Sequence, residues 1–337
     1  MSKADAARRL ASAAAYGGRG LGVAGAAAYG ILAAEAVAAR KRIGRATKQV
    51  MDSTGWYGRG RPGPPIQMAL LGDSSACGYG VDQVEHTPGA YLASGLAVEA
   101  DRRVHMRQLS VIGARSSDLW AQVDRALAAP CDVAVILVGA NDVTHMVRPQ
   151  TSVAHLGEAV RRLQDAGVQA VVGTCPDLGT IRPLLPPLRQ LARHWSRRMA
   201  AAQMIATLDE GGRTVSLGDV IGPEFYLNPA ELFGEDKFHP SAEGYKACAE
   251  VLLPTCLAAL GLAGDERLAP SRGDAVLELA DAAVEAADHP GTGLEPMEAA
   301  AGRVRPRGRF VEVRHRTART ALGTAESPEA DADHVEP

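Results

Sequence analysis

Between residues 66 and 262, short apolar runs alternate with longer stretches whose apolar positions recur at helical spacing. The runs IQMALLG (66–72), VHMRQLSV (104–111), CDVAVILVG (131–139), VQAVVGT (168–174) and TVSLGDV (214–220) have strand length and are bounded by turn-forming residues. Helices are predicted from about Pro88, from about Ser116, over Ser152–Ala166, through a long Leu/Arg/Ala-rich stretch after Thr174, and from Ser241 onward. Strands that are apolar throughout, rather than on alternate positions, belong to sheets covered on both faces. Strands separated by helices make such a sheet parallel. The pattern therefore predicts an α/β fold of three layers, α/β/α, around a five-stranded parallel sheet.

The pattern fails at both ends. An apolar run rich in Ala and Gly, from Gly20 to Ala39, follows Lys3, Arg8 and Arg9 and precedes Arg40, Lys41, Arg42, Arg45 and Lys48. It approaches the ~20 residues that cross a bilayer as a helix. Alanine drives insertion less than leucine does, so a spanning helix, a helix lying on the membrane surface and a packed Ala-rich helix all stay open. Basic residues on both flanks do not resemble a cleaved export signal. The match of Gly20–Gly25 to G-x-G-x-x-G has no strand before it and reads as chance. The stretch RGRPGPP (59–65) reads as a linker, so residues 1–60 form an N-terminal segment and residues 61–263 the catalytic domain. After Gly264 the chain turns to Ala, Glu, Asp, Pro and Arg with little apolar periodicity. Residues 264–337 are expected to be a disordered tail with at most a short helix around Ala275–Ala287.

Composition narrows the partners. A net charge of −3 and the lack of an aromatic-plus-basic stripe argue against nucleic acid. The five cysteines, Cys77, Cys131, Cys175, Cys248 and Cys256, are scattered through apolar runs and form neither a zinc motif nor a disulfide framework. No metal is expected. The apolar N-terminal run makes a membrane surface a possible partner and a membrane or cell-envelope location the expectation, with a cytoplasmic one as the alternative.

Three short segments carry chemistry. The first strand runs into Gly72-Asp73-Ser74-Ser75, which places Ser74 at the carboxyl edge of the sheet, where α/β folds bind ligands. Alone it reads equally as a helix cap. Gly139-Ala-Asn141-Asp142 follows the most apolar strand and reaches the same edge, where an Asn amide can donate to an oxyanion or simply form a turn. Asp236-Lys-Phe-His239-Pro240 precedes the last helix. That spacing lets Asp236 accept from the His239 imidazole while the histidine serves as a base, although a solvated loop histidine would look the same. His145 reads as a loop residue and Cys77 as a packed thiol.

Together these segments resemble the four sequence blocks of the SGNH hydrolases, also called the GDSL family. The blocks fall on Ser74 in GDSS, Gly113 in SVIGARSSDL, Asn141 in GAND, and His239 with Asp236 in DKFHPSAEGY. The resemblance covers Ile66 to about Leu260 and implies the flavodoxin-like fold of that family, with Ser75 standing where many relatives carry Leu or Thr. The segments GYGVD and TPGAYLA, with the basic Ala-rich N-terminus, resemble the actinobacterial members. The implied catalytic residues are Ser74, Asp236 and His239, with Ser74, Gly113 and Asn141 forming the oxyanion hole and no cofactor. The implied reaction is hydrolysis of a small-molecule or lipid ester through an acyl-enzyme, on short or medium acyl chains or an O-acetylated carbohydrate. Acyl transfer to a sugar or glycolipid would use the same residues, whereas a non-catalytic binding protein would be expected to lack one of them. Oligomeric state is not encoded in any of these segments.

Overall fold

The computed structural model describes residues 30–39, 41–43, 49–262, 275–288, 292–296, 310–315 and 322–329. The Gly20–Gly25 motif and the first half of the apolar N-terminal run lie outside them. Five strands form the predicted parallel core: β2 (Ile66–Gly72), β3 (Val104–Gln108), β4 (Val133–Leu137), β5 (Gln169–Gly173) and β6 (Arg213–Val215). Their spatial order, β3-β2-β4-β5-β6, is that of flavodoxin-like doubly wound sheets. The chain direction reverses its lateral progress between β2 and β4, so loops diverge there and open a crevice at the carboxyl edge.

Successive residues of these strands feed opposite cores. Met68, Leu70, Val133, Val135 and Val171 face one apolar cluster, while Ala69, Leu71, Ala134, Ile136, Ala170 and Val172 face another. The first is covered by α2 (Pro88–Ala100) packed on α9 (Ala242–Ala259), and the second by α3 (Leu119–Leu127) packed on α5 (Pro149–Asp165). Both faces are covered by apolar side chains, which is why β4, VAVIL, is buried at every position. The start of α2 matches its sequence signals: Thr87 caps the amide of Ala90, and Pro88 occupies the first turn.

The sheet is wider than expected, and its ends differ from the sequence reading. At one edge β1 (Gly55–Tyr57) pairs antiparallel with β3, so the folded unit begins before the Gly/Pro stretch and not after it. Ser53 fixes this start by donating from Oγ to Gln108 Oε1 at 2.6 Å. At the other edge, β7 (Ala275–Glu278), α10 (Leu279–Asp288), β8 (Thr292–Pro296) and β9 (Phe310–His315) occupy part of the expected tail. Strand β8 pairs antiparallel with β6, and β9 joins β8 to β7. The expectation of a disordered tail is corrected for these residues, while α10 falls where a short helix was expected around Ala275–Ala287. Leu279, Ala282, Ala283 and Ala286 make a buried stripe at helical spacing, and Leu294, Val311 and Val313 are buried beside it. The stripe is mostly alanine, so it contrasts little with its polar neighbours in sequence. Glu295 is buried too, and Arg213 lies against it at 2.6 Å.

Residues 322–329 return across the β1 edge, where the Trp56 and Glu329 backbones exchange bonds of 3.0 and 2.9 Å. At the N-terminal side, residues 30–39 form helix α1. Among the described residues no helix is long and apolar enough to cross a membrane.

Candidate active site

The crevice at the carboxyl edge of β2, β4 and β5 collects the chemistry-bearing residues. Strand β2 ends at Gly72, whose φ is +134° and where a Cβ would fall 1.9 Å from the Leu137 carbonyl oxygen. Only glycine permits β4 to approach so closely. The chain then turns sharply through residues 73–79, with the amides of Cys77 and Tyr79 donating to the carbonyls of Asp73 and Ser74 at 3.0 Å each. This turn projects Ser74 into the crevice.

The loop before α9 meets it. His239 Nε2 lies 3.0 Å from Ser74 Oγ, and His239 Nδ1 lies 2.6 Å from Asp236 Oδ2. Asp236 Oδ1 accepts from the amides of Phe238 and His239, both at 3.0 Å. Burial pushes the Asp236 carboxyl up, but the bonds from His239 and the two amides outweigh it and leave the group below the usual carboxylate range. An ionised carboxylate only accepts, so Nδ1 carries the ring proton and Nε2 accepts from the Ser74 hydroxyl. Tyr79 and Phe238 pack edge-on against the imidazole at 4.8 and 5.0 Å between ring centroids. Helix α9 starts immediately afterwards, with Ser241 Oγ accepting from the Gly244 amide at 3.2 Å.

Ser75 is held apart from this relay. Its Oγ donates to Asp73 Oδ1 at 2.6 Å, and its amide donates to the same oxygen at 2.9 Å. Asp73 is buried, and burial raises its pKa against the lowering effect of those bonds. The neighbouring hydroxyls thus differ in partner, one facing imidazole and the other a buried carboxyl.

Asn141 lies on a short helix, α4 (Ala140–Thr144), that starts directly after β4. Its Nδ2 donates to the Ala114 carbonyl at 3.0 Å, leaving a second N–H. That contact ties Asn141 to the turn after β3 containing Gly113, which is exposed with φ +78°. Asp142, adjacent to Asn141, is buried and accepts from the Ser116 amide at 3.0 Å and from Ser116 Oγ at 3.1 Å. Two neighbouring side chains therefore fix one loop. The role of Asp142 is absent from the sequence reading, because an Asn-Asp pair after a strand looks like an ordinary turn.

Two buried glutamines were also hidden. Gln122 on α3 clamps Gly72 from the side, and Gln203 on α6 (Leu188–Asp209) bridges β4 to β5. Gln203 Nε2 donates to the Val138 carbonyl at 2.9 Å, and its Oε1 accepts from the Cys175 amide at 2.7 Å. In sequence, the only available sign is that Gln122 shares the helical stripe of Leu119, Val123 and Ala126.

His145 is exposed, and its Nδ1 lies 2.8 Å from the Asn141 carbonyl, so it does not line the cleft. Cys77 is buried, and burial raises its thiol, as a packed cysteine requires. Among the described residues no cluster suits a metal ion. The cleft itself holds about 820 Å³ of empty space including its open mouth. Ser74, Asn141 and His239 stand at one side, and Leu137, Leu178, Ile181, Leu217, Phe225 and Phe233 form much of the rest.

Residues 70–247, which contain all five sequence-predicted site residues, match the GDSL-like Lipase/Acylhydrolase family. A GDSL-like esterase of Mycobacterium tuberculosis is 37% identical over 238 residues, spanning 67% of this chain and 75% of that protein. The chain belongs to the GDSL-like lipase/acylhydrolase family. As a GDSL-like protein it is an ester-bond hydrolase. Among solved structures, an acetylxylan esterase from Geobacillus stearothermophilus is 18% identical, with a TM-score of 0.45 over 60% of this chain and 96% of that one. Another acetyl xylan esterase is 19% identical, with a TM-score of 0.45 over 55% of this chain and 96% of its own.

Proposed function

We propose that the protein is a serine-dependent carboxylic ester hydrolase that works through an acyl-enzyme on Ser74. The observation that carries this reading is the relay from Ser74 Oγ to His239 Nε2 at 3.0 Å and from His239 Nδ1 to Asp236 at 2.6 Å. His239 takes the Ser74 proton as Oγ attacks the ester carbonyl, and the ionised Asp236 stabilises the imidazolium. The N–H groups of Ser74 and Gly113 and the second Nδ2 hydrogen of Asn141 serve as oxyanion donors. Collapse of the tetrahedral intermediate breaks the ester C–O bond, and His239 returns its proton to the leaving alcohol. Water then repeats the sequence, with His239 as base, and releases the acid.

The apolar cleft wall favours an acyl group of several carbons over the acetyl group of a carbohydrate ester. Beyond Ser74, Asn141 and His239 the cleft lining is largely apolar, Leu178, Ile181 and Leu217 among it, which suits an acyl chain. Cell-envelope association belongs to the same reading, since the apolar, basic N-terminal run leads into α1. Helix α1 is anchored to the start of α6, Glu35 accepting from the Leu188 amide at 2.9 Å. The test is hydrolysis of nitrophenyl esters of graded acyl length, with product analysis in the presence of an added alcohol. A rate that rises from acetyl to longer chains, with free acid as the product, is the expected result. Inactivity on every ester would overturn the hydrolase reading, and a strict acetyl preference would overturn the acyl assignment.

A further inference from the structure

The loops after β4, β5 and β6 carry an apolar surface beside the cleft mouth. Twelve large apolar side chains are exposed among the described residues, and five of them, Met146, Leu185, Leu191, Tyr226 and Leu227, stand on these loops and the helix ends that continue them. Leu227 is 72% exposed and Met146 67%. Met146 is held there by a backbone φ of +55°, a conformation uncommon for an unbranched non-glycine residue outside turns. The segments are neighbours in space. Met146 shares a groove with Arg148, Trp195 and Arg198, and the Arg182 guanidinium stacks on Tyr226 at 4.4 Å.

The charge on this half of the mouth has one dominant sign. Arg148, Arg182, Arg193 and Arg198 are exposed, whereas Asp177 is buried between Arg193 at 3.2 Å and Arg197 at 3.4 Å. Glu224 is half-buried and has a partner. Acidic groups collect on the far side of the His239 loop, where Asp82, Glu231 and Glu235 line a separate groove. Helix α1 joins the basic half: besides the Glu35 contact, Arg42 donates to the Pro183 carbonyl at 3.5 Å, and Ile31 and Val37 are exposed. The described half of the apolar run, α1, therefore packs on the segment after β5 that contributes to this face.

Exposed apolar tips ringed by arginines match the two layers of a bilayer surface, with acyl chains below and anionic headgroups above. We propose that the face formed by the loops after β4, β5 and β6 rests on an anionic phospholipid bilayer, with Met146 and Leu227 inserted and Arg148, Arg182 and Arg198 among the headgroups. The cleft then opens toward the lipid from which an ester would enter. The docking rests on the face and not on the acyl chemistry, so failure of ester hydrolysis would leave it standing.

The test uses the full chain with vesicles of phosphatidylcholine, alone or mixed with phosphatidylglycerol. Hydrogen exchange should slow at residues 144–148 and 225–228 only with the anionic vesicles. Arg148→Gln/Arg198→Gln should bind those vesicles about 10- to 30-fold more weakly, given ~1 kcal/mol for each basic residue near such a surface. Met146→Ser/Leu227→Ser should also weaken binding, and both double variants should keep wild-type activity on a soluble ester. Unchanged vesicle binding in both variants, without protection at the two segments, would mean that the N-terminal run alone holds the membrane and would overturn the proposal. Protection without lipid would overturn it as well. A rise with protein concentration would assign the face to a second copy of the chain, and independence of concentration would assign it to another segment of the same chain.

Discussion

Gln122 grips Gly72 through both ends of its amide: Oε1 accepts from the Gly72 N–H at 2.7 Å, and Nε2 donates to the Gly72 carbonyl at 3.0 Å. The N–H and C=O of one strand residue point the same way, so a side-chain amide can replace a neighbouring strand. Beyond the last β3 partner of β2 at Leu70, the Gly72 carbonyl also accepts from the Val111 amide at 3.0 Å, so it is the Gly72 N–H for which Gln122 supplies the partner. The strand end that aims Ser74 is thereby held from the α3 side. Gln122→Leu keeps the volume but leaves the buried Gly72 amide unpaired, at a cost of about 1–3 kcal/mol. The expected result is a lower urea midpoint together with a reduced kcat on a soluble nitrophenyl ester. Equal loss of stability with an unchanged kcat would confine Gln122 to a structural role.

The two adjacent hydroxyls should separate cleanly. Ser74→Ala removes the group facing His239 and is expected to lower kcat by at least about 1,000-fold while leaving the unfolding midpoint near wild type. Ser75→Ala removes one bond to the buried Asp73 carboxyl and should cost about 1–3 kcal/mol of stability while retaining ester hydrolysis. Active Ser74→Ala protein would overturn the assignment of the nucleophile.

Asp236 makes a prediction with a definite sign. Its carboxyl lies lower in the folded protein than in the unfolded chain, so its contribution to stability is present above the ordinary value of 3.8 and is lost as pH falls through the lower folded value. Asp73 is shifted upward, so its contribution has the opposite sign: it is present below 3.8 and lost as pH rises through the folded value. Asp236→Asn should therefore flatten the loss of stability in acid, measured as urea midpoints from neutral pH down to about pH 3. The same variant should lower kcat on the order of 10,000-fold, because the imidazole tautomer is no longer enforced.

The parallel core was legible because β2, β4 and β5 are apolar at nearly every position, a signal that depends on no distant partner. Ser74, Asn141 and His239 were legible for a related reason. Each sits at the end of an element whose type the pattern establishes, so sheet topology brings them to one edge. Gln122, Gln203 and Asp142 were not. Their partners are backbone groups 50 and 65 residues away for the glutamines, and 26 residues away for Asp142. A lone polar residue on a helix reads as solvent-facing until those partners are known. Strand β1, three residues long, was lost against the Gly/Pro stretch that follows it.

The C-terminal strands failed to register for yet another reason, and that reason can be tested. Their burial depends on the edge of β6, which is itself only three residues long, so neither side is persuasive alone. Strand β8 gives β6 a partner, and Glu295 places a carboxylate against Arg213. Ending the chain after residue 262 would uncover the β6 edge, leave Arg213 without that carboxylate, expose the surface now covered by Leu294 and α10, and strip residues 322–329 from the β1 edge. An unpaired edge with apolar surface beside it invites association between chains. The truncated protein should unfold at lower urea than the full chain and form larger species in sedimentation velocity. A solvated tail would instead leave both measurements unchanged, and that outcome would return residues 264–337 to the status the composition suggested.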